Sequence, residues 1–156
     1  MRNIFIILFF NILLSNNLEF DGNKAFNYLK AQCEIGPRYP GSEGHKKLIK
    51  YLQNHFISLS DTIEVYNDII NHPVSKEKIE ITNLLIRHNI KANDRYLFMA
   101  HFDTRDRADK DSDPKKINQP IIGANDGASG VALLMEISNY IKTHPLSKIG
   151  IDILLV

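Results

Sequence analysis

A single cysteine, Cys33, stands in a chain of 156 residues. One cysteine permits no internal disulfide and no cysteine-based metal cluster. Nothing near it in sequence points to a nucleophile, and with Phe26 and Leu29 at helical spacing it reads as a small buried hydrophobe. An excess of charge is also missing, since the formal net charge is +1. Binding to nucleic acid or to an anionic membrane needs clustered positive charge, and here the basic residues are scattered. The densest group, KKLIK at 46–50, reads as the solvated face of a helix. There are no repeats and no low-complexity linker. With 44% hydrophobic and 24% charged residues, the composition is that of one ordinary globular domain.

A membrane-length apolar run is lacking as well. MRNIFIILFFNILLSNN places Arg2 before an apolar stretch from Ile4 to Leu14, too short for the ~20 residues of a membrane span. A cationic start and a short apolar core are the pattern of a secretory signal. Residues 1–16 are accordingly assigned as a signal and 17–156 as the folded domain. Asn11 interrupts the run and no clean small-x-small site follows it, so a buried first strand is the alternative. No cysteine follows the run, which argues against a lipid anchor. The expectation is an exported protein with no stable membrane insertion once the signal is removed.

Apolar spacing lays out the rest. NKAFNYLKAQCE (23–34) reads as an amphipathic helix stopped by Gly36-Pro37. After the turn RYPGS a second helix runs from about Ser42, its N-cap, to Phe56, with Leu48, Ile49, Leu52 and Phe56 as its stripe. TIEVY (62–66) and IEITNLLIRHN (79–89) are β-branched strands joined by a polar loop containing Pro73. RYLFMAH (95–101) and IGIDILLV (149–156) are apolar without alternation, the mark of strands buried on both faces. ASGVALLMEISNYIKTH (128–144), ended by Pro145, is a helix between them. Strand, long loop, helix, strand is a βαβ crossover, which sets its strands parallel. Ligands bind beyond the carboxyl ends of such strands. His101 lies at that end, and Asp126 lies just before the following helix.

Six aspartates fall between His101 and Gly130, and the chemistry depends on sorting them. Asp109, Asp111 and Asp113 alternate as in a calcium loop, but Pro114 stands at the sixth position, where an EF-hand needs glycine, and Pro120 at the twelfth, where it needs glutamate. These three, with Asp106, read as a solvated loop. His101-Phe102-Asp103 differs: residues two apart in an extended segment point to the same side. Asp103 can therefore orient the imidazole, as carboxylates do behind zinc-bound histidines. Gly123-Ala124-Asn125-Asp126-Gly127-Ala128-Ser129-Gly130 surrounds one carboxylate with small residues at a helix start, where free N–H groups and the dipole favour an anion. Asp126 is then either a cation ligand or a simple cap in a tight turn.

The two motifs together, HFDT and GANDGASG opening a helix, resemble the zinc aminopeptidase and glutaminyl cyclase superfamily. IGPRYPGSEGHKKLIKYL and ITNLLIRH are similar to its segments before the first long helix and in an early strand, so the resemblance covers about 30–156. It implies a three-layer α/β/α sandwich around a mixed, largely parallel sheet, with a zinc site at the strand carboxyl ends. Asp126 matches a zinc ligand. His101 matches a ligand of a second zinc in the aminopeptidases, and lies near the single zinc in the cyclases. Asp103 matches the residue that orients the histidine. Glu136 coincides with a frequent family glutamate but falls mid-helix and reads as structural.

The connection RDRADKDSDPKKINQPIIGAND resembles the long loop of bacterial glutaminyl-peptide cyclotransferase-like members. The resemblance then implies one Zn2+, peptide or protein N-termini as substrates, and cyclisation of N-terminal glutamine. A zinc aminopeptidase with two zincs bridged by Asp126 is the alternative. The family's catalytic glutamate, a neighbouring zinc-binding residue and a late histidine would all follow Val156. The chain is therefore expected to be the front part of such a domain, inactive alone and a poor zinc binder, the sheet incomplete at the C-terminus. A remnant or a binding module that kept the fold is the non-catalytic reading.

Overall fold

The computed structural model describes residues 20–72 and 75–156, and the expected signal at 1–16 lies outside them. Asp21 opens helix α1 (Gly22–Glu34), its carboxylate accepting from the Lys24 N–H at 2.9 Å. Ser42 caps α2 (Glu43–Phe56) in the same way, accepting from the His45 N–H at 3.1 Å. Both caps satisfy donors that a helix start otherwise leaves open. Strands β1 (Thr62–Asn71) and β2 (Lys78–His88) form a long hairpin, followed by β3 (Asp94–Ala100), α3 (Ser129–Thr143) and β4 (Ile149–Leu155). Strand β1 runs five residues beyond the expected TIEVY. Its polar end is held by cross-strand pairing, including a hydrogen bond from the Thr82 hydroxyl to the Asn67 side-chain oxygen at 2.9 Å.

The strand order is β1-β2-β4-β3. The sheet is mixed, as expected, but only β3–β4 is parallel; β1–β2 and β2–β4 are antiparallel. The parallel share is smaller than the crossover alone suggested, because the 62–88 hairpin has a connection too short for anything but an antiparallel turn.

One core joins helices and sheet. Leu48, Leu52 and Phe56 of α2 and Val131, Leu134 and Met135 of α3 pack over Leu84, Ile86, Ile153 and Leu155. Tyr28 and Ile35, within and just after α1, lean on the same cluster. All three helices therefore cover one face of the sheet, and the described residues build two of the three expected layers. The α/β class stands.

Two burial expectations are corrected. Helix α1 turns Tyr28 and Gln32 inward, one position away from the expected line. Phe26 is 58% exposed with the Lys30 ammonium 5.4 Å from its ring centre, and Cys33 is only half-buried. Strand β3 is an edge strand rather than a buried one, with Leu97 60% and Met99 64% exposed. It pairs on one side alone, so its apolar run faces outward among the described residues. Strand β4, between β2 and β3, is interior as expected.

The core also encloses imidazoles. His45 and His88 are nearly inaccessible, and His88 Nε2 lies 3.0 Å from the Ser138 hydroxyl. Burial pushes both below their ordinary pKa of 6.5, with nearby acceptors and carboxylates only partly offsetting it. As pH falls through about 6.5 the unfolded chain takes up these protons and the folded chain resists them. Stability must then fall with pH, by up to ~1.4 kcal/mol per pH unit for each histidine kept neutral. We expect urea unfolding to give a lower free energy at pH 5.5 than at pH 7.5, and His88→Gln to flatten that slope. A profile level between these values would show that the histidines are not held neutral.

Candidate functional site

The site is built where β3 ends. The ladder continues past the strand, with the Val156 N–H donating to the Ala100 carbonyl at 3.0 Å and the Phe102 N–H to the Val156 carbonyl at 2.9 Å. This keeps 100–102 extended. Phe102 is wholly buried and stacks on His45, with ring centres 5.0 Å apart and planes within 8°. Because side chains alternate along extended backbone, burying Phe102 turns His101 and Asp103 together to the open side.

There the two meet. His101 Nδ1 lies 3.0 Å from Asp103 Oδ1, and His101 Nε2 lies 3.0 Å from Asp126 Oδ1. One imidazole is held between two carboxylates. A neutral ring carries a single N–H and can donate to only one of them. The other carboxylate then faces a ring nitrogen that could instead offer its lone pair to a metal ion. Zinc bonds of about 2.0–2.2 Å put neighbouring tetrahedral ligands roughly 3.4 Å apart. The observed separation is a few tenths of an ångström short of that, so the pair fits a zinc ion with slight opening. Among the described residues no group of three His, Cys, Asp or Glu is close enough to hold a metal. A catalytic zinc takes three protein ligands and an open position, and His101 and Asp126 by themselves would fill only part of such a set.

Asp126 is delivered by a kinked turn at 124–128 ahead of α3, closed by the Ala128 N–H donating to the Gly123 carbonyl at 3.2 Å. Two glycines make the turn possible. Gly123 has φ +58°, and a Cβ there would stand 2.7 Å from Thr104 Cγ2 and 2.5 Å from the Asp126 carbonyl oxygen. Gly127 has φ +110°, and its Cβ would meet the Asp103 carbonyl oxygen at 2.7 Å. The two motifs are thus pressed backbone against backbone at the one place where no side chain intervenes. The glycine content that marked this stretch in the sequence has that cause.

Beneath the turn lies a residue to which the sequence reading gave no role. Arg38 is wholly buried, its Nη1 donating to the Gln32 and Gly36 carbonyls at 3.0 and 2.8 Å and its Nη2 to the Gly123 carbonyl at 3.1 Å. The Arg38 N–H donates to the Thr104 hydroxyl at 2.8 Å. Burial lowers the guanidinium's pKa, offset in part by the nearby Cys33 thiol, yet an arginine stays a cation in proteins. No described carboxylate pairs with it. The only hint in the sequence was a cation placed directly after the Gly36-Pro37 breaker.

The remaining acidic residues stay apart from this centre. Asp106 pairs with Arg107 and Asp109 with Arg105, while Asp111 and Asp113 accept backbone N–H groups two residues on. Glu136 is buried against α1, 3.6 Å from the Lys24 ammonium and accepting from the Asn139 amide.

Fold and site together define a class: an open α/β sheet whose polar centre sits beyond the carboxyl end of a parallel strand pair, at the start of the crossover helix. Residues 83–156 match Peptidase family M28. The structure resembles that of the Tannerella forsythia glutaminyl cyclase, at TM-score 0.83 and 32% identity over 87% of this chain and 46% of that one. It resembles equally a zinc-dependent exopeptidase from Parabacteroides distasonis, at TM-score 0.83 and 31% identity over 88% of this chain and 46% of that one. A leucine aminopeptidase precursor from Bacteroides thetaiotaomicron follows at TM-score 0.79 and 32% identity, over 88% and 47%. No curated protein matches the sequence. These likenesses are consistent with the zinc aminopeptidase and glutaminyl cyclase superfamily, and the chain spans a little under half the length of these solved relatives. No described helix is long and apolar enough to cross a membrane.

The close approach at Gly127 makes a sharp test. Gly127→Ala puts a methyl against the Asp103 carbonyl and strains a left-handed φ, which costs on the order of 1–3 kcal/mol. We expect a melting temperature lower by several degrees. An unchanged midpoint would mean that the two motifs do not touch as described.

Proposed function

We propose that the whole protein is a zinc-dependent glutaminyl-peptide cyclotransferase, closing the N-terminal glutamine of peptides or proteins to pyroglutamate with release of ammonia. Asp126 is a zinc ligand in this reading, His101 lies at or beside the same ion, and Asp103 orients His101. The observation that carries it is the imidazole held between two carboxylates, 3.0 Å from each, at the carboxyl edge of the sheet. Support for a cyclase comes from the Tannerella forsythia neighbour and from the long connection at 105–122. That connection is folded back on itself, the Ala108 N–H donating to the Gln119 carbonyl at 2.8 Å and the Ile121 N–H to the Arg105 carbonyl at 3.4 Å.

Zinc, when bound, supplies a Lewis acid that polarises the substrate's carbonyl or lowers the pKa of a water. The rest falls to protein groups. Asp103 accepts the His101 Nδ1–H, which fixes the tautomer and leaves the Nε2 lone pair facing Asp126. Asp126 offers an anionic oxygen on the open side, where a peptide end can approach. In the cyclisation the substrate's α-amine bonds to its own side-chain carbonyl carbon, the bond to the amide nitrogen breaks, and a proton passes from amine to leaving nitrogen. The resemblance assigns that proton transfer to a glutamate.

A second reading is an aminopeptidase, in which Asp126 would help hold two zinc ions; the Bacteroides thetaiotaomicron neighbour, a leucine aminopeptidase precursor, supports it. Either enzyme would act outside the cytoplasm if the N-terminal run is a working export signal.

The complete gene product, loaded with zinc, is expected to convert a Gln-initiated peptide to its pyroglutamyl form, seen by mass and by ammonia release, and to lose this with a chelator. Release of chromophore from an amino-acid anilide instead would establish the aminopeptidase. Failure of both would leave a fold without the chemistry. Asp126→Ala should abolish turnover, since losing a direct ligand exceeds the ~10–100-fold cost of an outer partner. Turnover within about threefold of the parent would overturn the ligand assignment.

A further inference from the structure

We propose that Arg38 is the positioning residue that sets the separation of His101 and Asp126, by bonding at once to the two chain segments that carry them. The proposal rests on the zinc-site reading given above. Its grounds are the bonds Arg38 makes. Through its backbone it is tied to the segment after Asp103: its N–H donates to the Thr104 hydroxyl at 2.8 Å, and its carbonyl accepts the Thr104 N–H at 3.4 Å. Through its side chain it is tied to the turn before Asp126, where Nη2 donates to the Gly123 carbonyl at 3.1 Å. That carbonyl also accepts the Ala128 N–H which closes the turn. The guanidinium is thus bonded to the hydrogen-bonded ring that contains Asp126.

The rest of Arg38 is fixed from behind. Nη1 is held by the Gln32 and Gly36 carbonyls, and the Arg38 carbonyl faces His45 Nδ1 at 3.1 Å. The Gln32 amide in turn donates to the Ala128 carbonyl at 3.2 Å, at the far end of the same turn. A buried cation without a carboxylate partner is costly to maintain, and simple filling of this space would be better done by an apolar side chain. What arginine brings is a rigid planar fork that spans several carbonyls at once, which the single nitrogen of lysine cannot match. The fork joins Gln32 and Gly36, at the end of α1, to Gly123. The separation of the two site motifs is thereby referred to a helix outside both of them.

A merely structural arginine would change stability and leave the metal affinity of the folded protein alone. The test therefore reads affinity and geometry in the complete gene product: zinc by competition with a chromophoric chelator, and cobalt(II) by its visible spectrum. We expect Arg38→Lys to unfold cooperatively, to bind zinc about 10–100-fold more weakly than the parent, as outer partners do, and to show an altered cobalt spectrum. Zinc affinity within about threefold of the parent with an unchanged spectrum would overturn the proposal. Should Arg38→Lys not fold, Thr104→Val is judged by the same two readouts, since it removes the shorter of the two bonds on the Asp103 side, the one to the Thr104 hydroxyl, and leaves the guanidinium in place. The underlying site reading fails separately, if the parent takes up no zinc or if Asp126→Ala binds it as tightly as the parent.

Discussion

Strands β3 and β4 lie side by side and run the same way, and parallel neighbours cannot be joined by a tight turn. The chain has to leave the sheet at the carboxyl end of β3, cross one face as α3 and come back to start β4. All of 101–128 is therefore connection, and its first and last parts are forced to the same edge. The ladder to Val156 carries extended backbone just far enough to seat Phe102 in the core. The outward turn of His101 and Asp103, and the arrival of Asp126 beside them, follow from that one pairing.

Much of this could be read from the residues. The helix starts were legible because Ser42 and the Gly36-Pro37 breaker act through short-range chemistry, and the crossover was legible because two apolar runs flanked a helical one. The His101–Asp103 contact needed only the two-residue alternation of extended backbone. Lateral arrangement was not legible. That β4 inserts between β2 and β3, leaving β3 at the edge, is a property of strand order, and an apolar run such as RYLFMA reads alike in the middle of a sheet or at its rim. For the same reason the inward side of α1 was placed one position off: Phe26 and Cys33 share a stripe with Leu29, but α3 meets Tyr28 and the turn before it meets Gln32. The role of Arg38 escaped altogether. The partners of its guanidinium are backbone carbonyls, which have no signature in the sequence.

The two ends of the helix–sheet interface are held by different forces. Over the middle, Leu52, Phe56, Leu84, Ile86, Met135 and Ile153 make a dry cluster whose cohesion is hydrophobic. Toward the site the buried residues become Gln32, Arg38, His45 and Thr104, and the contacts become directional. Three buried atoms there, Gln32 Oε1, Arg38 Nε and His45 Nε2, have no partner among the described residues. Unsatisfied polar atoms of this kind are destabilising, and their concentration under one turn fits a region selected for placement rather than for stability.

The open flank of β3 has a practical meaning for anyone producing this polypeptide. Tyr96, Leu97, Phe98 and Met99 succeed one another, all exposed, on a strand with no partner on its outer side among the described residues. Such an edge is a template for another strand of any origin. Left uncovered, an apolar edge of this kind is a liability for self-association that is separate from the stability of the core. Yield and dispersity would then depend on what lies against that strand more than on the quality of the core behind it.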